Sequence, residues 1–528
     1  MDIKTISTLE KATEQTLPSF AKFSLSLFFI LAVFIWTYMA HGSIPDNSFL
    51  IIGAVFGAYM AINIGANDVA NNVGPAVGAK ALTLAGAIMI AAIFEAAGAI
   101  IAGGEVVSTI KSGIIDPSAI TDIHVFIWAM TAGLLAAAVW LNFATSIGAP
   151  VSTTHAIVGG VMGAGIAATG FYILNWASLG KIVSSWFISP LFGGIIAAAF
   201  LYFIKKQIVY KEDMLGQAKK VLPYLVAVMT WSFSAYLIIK GLKKVVHLNF
   251  LSISVISLVL ALIAYYLAKK YIEKRLPSLL NNRDSVNRLF TPALIFAAAL
   301  LSFAHGANDV SNAIGPLAAI NDAVVHAGKI GGVASIPLWI MLVGAIGIVI
   351  GLILYGPRLI KTVGGGITEL DQMRAFSIAI ATAITVIVAS QLGLPVSSTH
   401  ITIGGVFGVG FLRERLDNSE KNYFKDVREK LKKHKKELAK LKSELVKLEV
   451  IKDKTKSIYI KIVDIFKKID DIEDVVKKDK KDFREAKGVK HVKRDAVKKI
   501  IAAWVITVPA SALLAAGIFY MIKGIVSV

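Results

Sequence analysis

The chain has 528 residues, of which 56% are hydrophobic and 17% charged, and its mean hydropathy is +0.68. So small a charged fraction cannot clothe a soluble protein of this length, so much of the surface is expected to face lipid. The absence of cysteine excludes disulfides and thiolate metal centres, and the net charge of +20 gathers in loops between apolar runs, which argues for membrane topology over nucleic-acid binding.

The first apolar run, near 24–40, follows about twenty polar and mixed residues. Ala40-His41-Gly42 is a poor cleavage site, so this run reads as a retained membrane helix within an N-terminal segment 1–47. Further apolar runs lie near 49–64, 84–102, 126–141, 186–204, 221–240, 250–268, 334–355, 375–392 and 500–522. Most can cross a hydrocarbon core of about 30 Å. Basic loops separate them. Lys205, Lys206, Lys211, Lys219 and Lys220 form one, and Lys269, Lys270, Lys274, Arg275, Arg283 and Arg288 another. The block 413–499 holds about 30 Lys and Arg against about 18 Asp and Glu. The positive-inside rule places all three in the cytoplasm, although Lys240, Lys243 and Lys244 then fall outside.

The chain repeats itself. GANDVANNVGPAVG at 65–78 returns as GANDVSNAIGPLAA at 306–319, and GAPVSTTHAIVGGVMG at 148–163 returns as GLPVSSTHITIGGVFG at 393–408. Trp186-Phe-Ile-Ser-Pro190 returns more loosely as Trp504-Val-Ile-Thr-Val-Pro509. The spacing lengthens only before this last pair, where 413–499 is inserted. With the basic loops inside, the helix at 186–204 runs inward and its partner at 500–522 runs outward. The two copies are therefore expected to be inverted, with a site near the midplane between them.

The fold class expected is all-α: a polytopic membrane protein with two inverted-topology repeats, broken helices and a soluble helical hairpin insertion. The first repeat spans 48–204, and a central connection with two membrane helices spans 205–289. The second repeat spans 290–412 and is completed by 500–528, around the insertion 413–499. In that insertion Leu431, Leu438, Leu441, Leu445 and Leu448, and then Ile462, Ile465, Ile469, Ile472 and Val476, fall at coiled-coil spacing, with a turn over Asp453–Ser457.

Two motifs carry the chemistry. Asn67, Asp68, Asn71 and Asn72, and likewise Asn308, Asp309, Ser311 and Asn312, sit among apolar residues, where a charge is costly. Gly65, Gly74 and Pro75, and Gly306, Gly315 and Pro316, flank them and suggest interrupted helices with freed carbonyls. Carboxylate and amide oxygens suit a hard cation such as sodium. Ser152, Thr153 and Thr154, and Ser397, Ser398 and Thr399, follow Pro150 and Pro395 in what reads as a first helical turn. Free amides and the helix dipole there suit an anion. His155 and His400 end these runs and are expected to orient the hydroxyls. No nucleophile–base constellation appears, so an enzyme is not expected.

These segments resemble the inorganic phosphate transporter (PiT) family, which also includes sulfate permeases. GANDVANNVGP, FAHGANDVSNAIGPLAA and the two PVS[TS]TH segments carry the likeness, supported by IFEAAGAIIAGGEVVSTIKSGIID at 93–116 and GPRLIKTVGGGIT at 356–368. The resemblance implies two re-entrant helical hairpins and phosphate import by sodium-coupled symport, with proton coupling or sulfate transport as the alternatives. It implies that Asn67, Asp68, Asn71, Asn308, Asp309, Asn312 and the membrane-embedded Glu95 bind sodium. Ser152, Thr153, Thr154, Ser397, Ser398 and Thr399, with Asp68 and Asp309, would hold phosphate. No cofactor is implied beyond transported ions. The partners expected are phosphate, sodium, the plasma-membrane bilayer (the inner membrane in a bacterium) and a second copy of the chain. One departure stands out: some members carry an acid in a Phe-x-x-Glu pattern where this chain reads Phe376-Ser-Ile-Ala379.

Overall fold

The computed structural model describes residues 19–44, 47–120, 122–149, 151–241, 249–325, 336–366, 370–417, 421–450, 456–488 and 494–526. Pro150, Lys243, Lys244 and most of the turn expected at 453–457 lie outside them. The described residues are almost wholly helical.

An opening helix α1 (Ser19–His41) precedes the first copy. That copy comprises α2 (Asn47–Asn67), α3 (Val69–Gly78), α4 (Leu84–Ala102), α5 (Gly104–Ser112), α6 (Ile123–Ser146), α7 (Thr153–Thr169) and α8 (Trp176–Ile204). A π turn at Lys205–Val209 leads to α9 (Met214–Gly241) and α10 (Phe250–Arg275). The second copy comprises α11 (Arg283–Val325), α12 (Leu338–Gly366), α13 (Gln372–Gln391), α14 (Ser398–Asp417) and, after the insertion, α17 (Arg494–Val526). Between the last two lie α15 (Lys421–Glu449) and α16 (Lys456–Gly488). Eleven helical stretches among the described residues have the length and apolarity to cross a membrane. One of them, 283–325, is absent from the apolar runs read from sequence, although it is as apolar as 214–241, which was read.

Side chains at the helix starts explain several boundaries. Thr83, Asp122, Asn175, Asn249 and Asp371 each accept a hydrogen bond from a first-turn amide, which would otherwise lack an acceptor. Two sharp connections, α6 to α7 and α13 to α14, turn through Gly148 (φ 72°) and Gly393 (φ 66°), matched positions where a Cβ would be strained.

The expected helix interruptions do not occur as the glycines and prolines suggested. α11 runs unbroken through Gly306, Gly315 and Pro316. In the first copy only Asp68 separates α2 from α3, and its backbone remains near-helical (φ −88°, ψ −34°). Buried packing tolerates both prolines inside the helix. Side chains, rather than opened carbonyls, must therefore supply most polar atoms there.

The two copies pack reciprocally. α2 lies on α12, and α11 on α4; α6 lies on α17, and α13 on α8. Glycines let the backbones touch. A Cβ on Gly404 would strike the Pro190 carbonyl, and one on Gly159 the Val508 carbonyl. Gly408 meets Gly194 as Gly163 meets Ala512. Gly306 abuts Glu95 as Gly65 abuts Ile348, which makes Ile348 the counterpart of Glu95. Such close approach forfeits no side-chain volume and strengthens dispersion contact where lipid offers little hydrophobic driving force.

The chain forms two compact units, Met1–Val409 with Arg494–Val528, and Gly410–Lys493. In the second, α15 and α16 meet along a seam of Leu438, Leu441, Leu445 and Leu448 with Ile462, Ile465 and Ile469. An ion pair links Lys442 to Glu473 (2.6 Å), and His434 Nδ1 lies 2.7 Å from Asp479 Oδ2. Residues 494–499, read from charge as part of the insertion, form the first turns of α17.

Candidate functional site

α7 and α14 begin just after the two glycine turns. Ser152 and Ser397 are their N-caps, accepting from the amides of His155 (3.1 Å) and His400 (3.3 Å). Pro395 therefore lies before the helix and does not occupy its first turn. Each run of three hydroxyls divides its work: the first caps, and the next two face the polar stretch of α2–α3 or α11.

Hydrogen bonds cross between the copies. Asn71 Nδ2 donates to Thr399 Oγ1 (2.8 Å), and Thr399 donates to Asp68 Oδ1 (3.0 Å). Asn312 Nδ2 lies 3.1 Å from Thr153 Oγ1 and 3.2 Å from Thr154 Oγ1. Thr154 donates to the Val396 carbonyl at 3.0 Å, and within the second copy Ser398 donates to Asp309 Oδ2 at 3.2 Å. Asp68 and Asp309 are buried, as are all six hydroxyl residues.

Glu95 joins the same cluster through a residue that the sequence reading passed over. Its Oε1 accepts from Asn72 (2.7 Å), and its Oε2 lies 2.7 Å from His305 Nδ1. His305 Nε2 is 2.9 Å from Asp309 Oδ2. One ligand atom from each of Asp68, His305 and Asp309 lies within 4.8 Å of the others. His305 stands immediately before the second Gly-Ala-Asn-Asp, where the first copy has Ile64. A polar ring in an otherwise apolar run was the available signal. Since Ile348 is the counterpart of Glu95, the Glu95–His305 link exists in one half only.

The remaining amides sort by what they leave free. Asn67, Asn71, Asn72 and Asn312 each donate through Nδ2, yet their Oδ1 atoms are buried without a hydrogen-bond partner, as is Asp309 Oδ1. Unpaired buried oxygens are uncommon and costly. Unpaired oxygens on the same helical stretches as buried carboxylates fit a desolvated cation, for which hard oxygens are suitable ligands. Asn308 differs. Its Nδ2 donates to Ser390 Oγ (2.9 Å) and the Leu394 carbonyl (3.2 Å), and its Oδ1 accepts from Val396 N (3.2 Å). Its amide pins the turn before α14, with both ends occupied. Asn67 keeps the matching bond to Thr145 (2.9 Å), but its oxygen stays unpaired.

The histidines ending the hydroxyl runs also differ from expectation. The His155 ring packs on Trp186 (3.9 Å between centroids), the His400 ring on Trp504 (3.7 Å), and the two imidazoles meet edge to face at 4.5 Å. They fasten the two helix starts to each other rather than orient hydroxyls. Ala379, at the departure noted above, is a buried residue of α13.

Residues 64–515 match the model of the phosphate transporter family, which takes in both polar stretches, both hydroxyl runs and Glu95. The chain belongs to that family. It is 51% identical over 523 residues to a protein of Helicobacter pylori provisionally named a phosphate permease, with 98% of each chain covered. It is 41% identical over 367 residues to a similarly named protein of Haemophilus influenzae, covering 69% of this chain and 87% of that one. A solved structure of a sodium-dependent phosphate transporter superposes with a TM-score of 0.72 at 29% identity, over 90% of this chain and 99% of that one. This family consists of permeases and not enzymes. The chain is accordingly a multi-pass membrane protein of phosphate transport.

Proposed function

We propose that this protein imports inorganic phosphate by sodium-coupled symport with alternating access. The observation that carries the reading is the unpaired buried oxygens of Asn71, Asn312 and Asp309, residues that are themselves hydrogen-bonded to the hydroxyl pairs Thr153–Thr154 and Ser398–Thr399. Sodium at those oxygens would neutralise carboxylates that otherwise repel each other and any anion. Asn67, Asp68, Asn71, Asn312, Asp309 and Glu95 would hold sodium directly, with Asn72 and His305 setting Glu95 in place. Asn308 would position the hydroxyl turn.

Phosphate would take the hydroxyls of Thr153, Thr154, Ser398 and Thr399 and the first-turn amides of α7 and α14, with Ser152 and Ser397 as caps. Neutral donors and helix termini bind a tetrahedral anion from two directions without a permanent countercharge. Asp68 and Asp309 would touch phosphate only through sodium. The reciprocal packing and the basic loops support two inverted repeats, with α6–α7 and α13–α14 as re-entrant hairpins. Exchange of their contacts would expose the site to each side in turn. The membrane would be the plasma membrane, with 413–499 in the cytoplasm.

Uptake of labelled phosphate into proteoliposomes, with sodium and pH gradients imposed separately, tests this. Uptake should follow the sodium gradient and resist excess sulfate. Uptake driven by the pH gradient alone would overturn sodium coupling, and full competition by sulfate would overturn the substrate assignment.

A further inference from the structure

The hairpin of Gly410–Lys493 uses one apolar seam and leaves another apolar surface in the open. Val446, Val450, Ile460, Val463 and Phe466 lie outside the seam, and each is more than half exposed. Their register explains why. Leu445 and Ile465 occupy equivalent seam positions, and Val446 and Phe466 each follow by one residue. Val463 follows the seam residue Ile462 in the same way. In an antiparallel pair, residues one step beyond the seam on both helices come to the same side of the hairpin. The Lys442–Glu473 ion pair joins the two helices on that flank.

Exposed apolar side chains elsewhere in the protein belong mainly to membrane-crossing helices, where lipid accounts for them. This unit is too rich in lysine and acid to enter lipid, so its patch faces water. A contiguous apolar patch in water marks an interaction surface. Charge indicates the partner. From Lys430 to Lys447, α15 has eight lysines against two glutamates, whereas from Asp464 to Asp474 α16 has five acids against two lysines. A partner of one sign, such as an anionic lipid surface, would meet repulsion from Asp470 and Glu473 beside the patch. A second copy brings both signs, and an isologous contact can set the basic helix of each against the acidic stretch of the other.

We propose that the flank formed by Val446, Val463 and Phe466 binds the same flank of a second copy of this chain, so that two hairpins build a four-helix bundle. A single two-helix seam is marginal by itself. Pairing two of them buries the second stripe as well, the arrangement that stabilises antiparallel bundles. This proposal does not depend on the coupling ion or on the phosphate site.

Because the natural chain has no cysteine, single cysteines report the contact without background. Val446→Cys and Val463→Cys would be introduced separately into the full chain in liposomes and oxidised with copper-phenanthroline. Ser443→Cys and Asp471→Cys, on the opposite surface of the hairpin, serve as comparisons. Covalent dimers should form at least tenfold faster at 446 and 463 than at 443 and 471. Adding Phe466→Glu or the milder Phe466→Ser to Val463→Cys should slow dimer formation severalfold, while helix content and phosphate uptake persist. Equal rates at all four positions, or undiminished cross-linking in the Phe466→Ser background, would overturn the proposal.

Discussion

Asn71 donates to Thr399 from 328 residues away, and the same Thr399 hydroxyl passes its own hydrogen to Asp68. One hydroxyl of the second copy is therefore held by the amide and the carboxylate of the first. A change at Thr399 should reach both ligands of a symporter. Thr154, by contrast, spends its hydrogen on the Val396 carbonyl. We expect Thr399→Val to weaken both phosphate affinity and the sodium dependence of uptake, by about tenfold each for the loss of a charge-assisted bond worth about 1.5 kcal/mol. Thr154→Val should weaken phosphate affinity more than sodium affinity, because Asn312 keeps its other acceptor, Thr153. Equilibrium binding of each ion to purified variants separates the two outcomes.

The acids offer a sharper contrast. Asp68→Asn and Asp309→Asn keep shape and remove charge, so both proteins should still insert and fold. Uptake should fall by more than tenfold in each, with sodium dependence lost or flattened. Retention of normal uptake and sodium dependence in both variants would remove these residues from the cation site.

His305 supports two buried carboxylates at once, Glu95 at 2.7 Å and Asp309 at 2.9 Å. His305→Leu strips both and leaves them unpaired in a dry environment. Removing one partner of a buried charged pair typically costs about 3–5 kcal/mol. Thermal unfolding of His305→Leu in detergent should be markedly earlier than that of the natural protein. The Glu95→Gln/His305→Leu double variant should recover part of the loss, because the unpaired charge has gone. Additive losses in the double variant would mean that the two side chains are not coupled.

The glycine contacts between copies can be tested without touching the site. Gly404→Ala sets a methyl group against the Pro190 carbonyl, and Gly163→Ala sets one against Ala512. Each should cost about 1–3 kcal/mol by overpacking, whereas Gly517→Ala, with open space around it, should be near neutral. Chemical denaturation or thermal shift assays provide the ranking.

Much of this architecture is legible in the sequence, because membrane burial leaves strong signals. Apolar length marks the spans, and duplicated motifs mark the repeat. Asp68, Asp309 and the two hydroxyl runs were visible because charged and hydroxylated residues rarely cluster in apolar sequence without a reason. What was missed depends on three-dimensional neighbours. Gly306 and Pro316 suggested a break, but packing holds α11 continuous through them. Asn308 and Asn67 share the local sequence Gly-Ala-Asn-Asp-Val, yet of the two only Asn308 has an amide with both ends occupied. Glu95 and His305 are distant in sequence and have no counterparts in the other copy, so the repeat that revealed the rest concealed their pairing.

The central claim is that phosphate and sodium share one site and that sodium makes the buried acids tolerable to an anion. Linkage then requires each ion to strengthen the other by the same factor. The most direct measurement is phosphate affinity of the purified protein with and without saturating sodium, paired with sodium affinity with and without phosphate, at constant ionic strength. The account gives equal enhancements of at least tenfold, both abolished by Asp68→Asn. Phosphate affinity unchanged by sodium in the natural protein would contradict it.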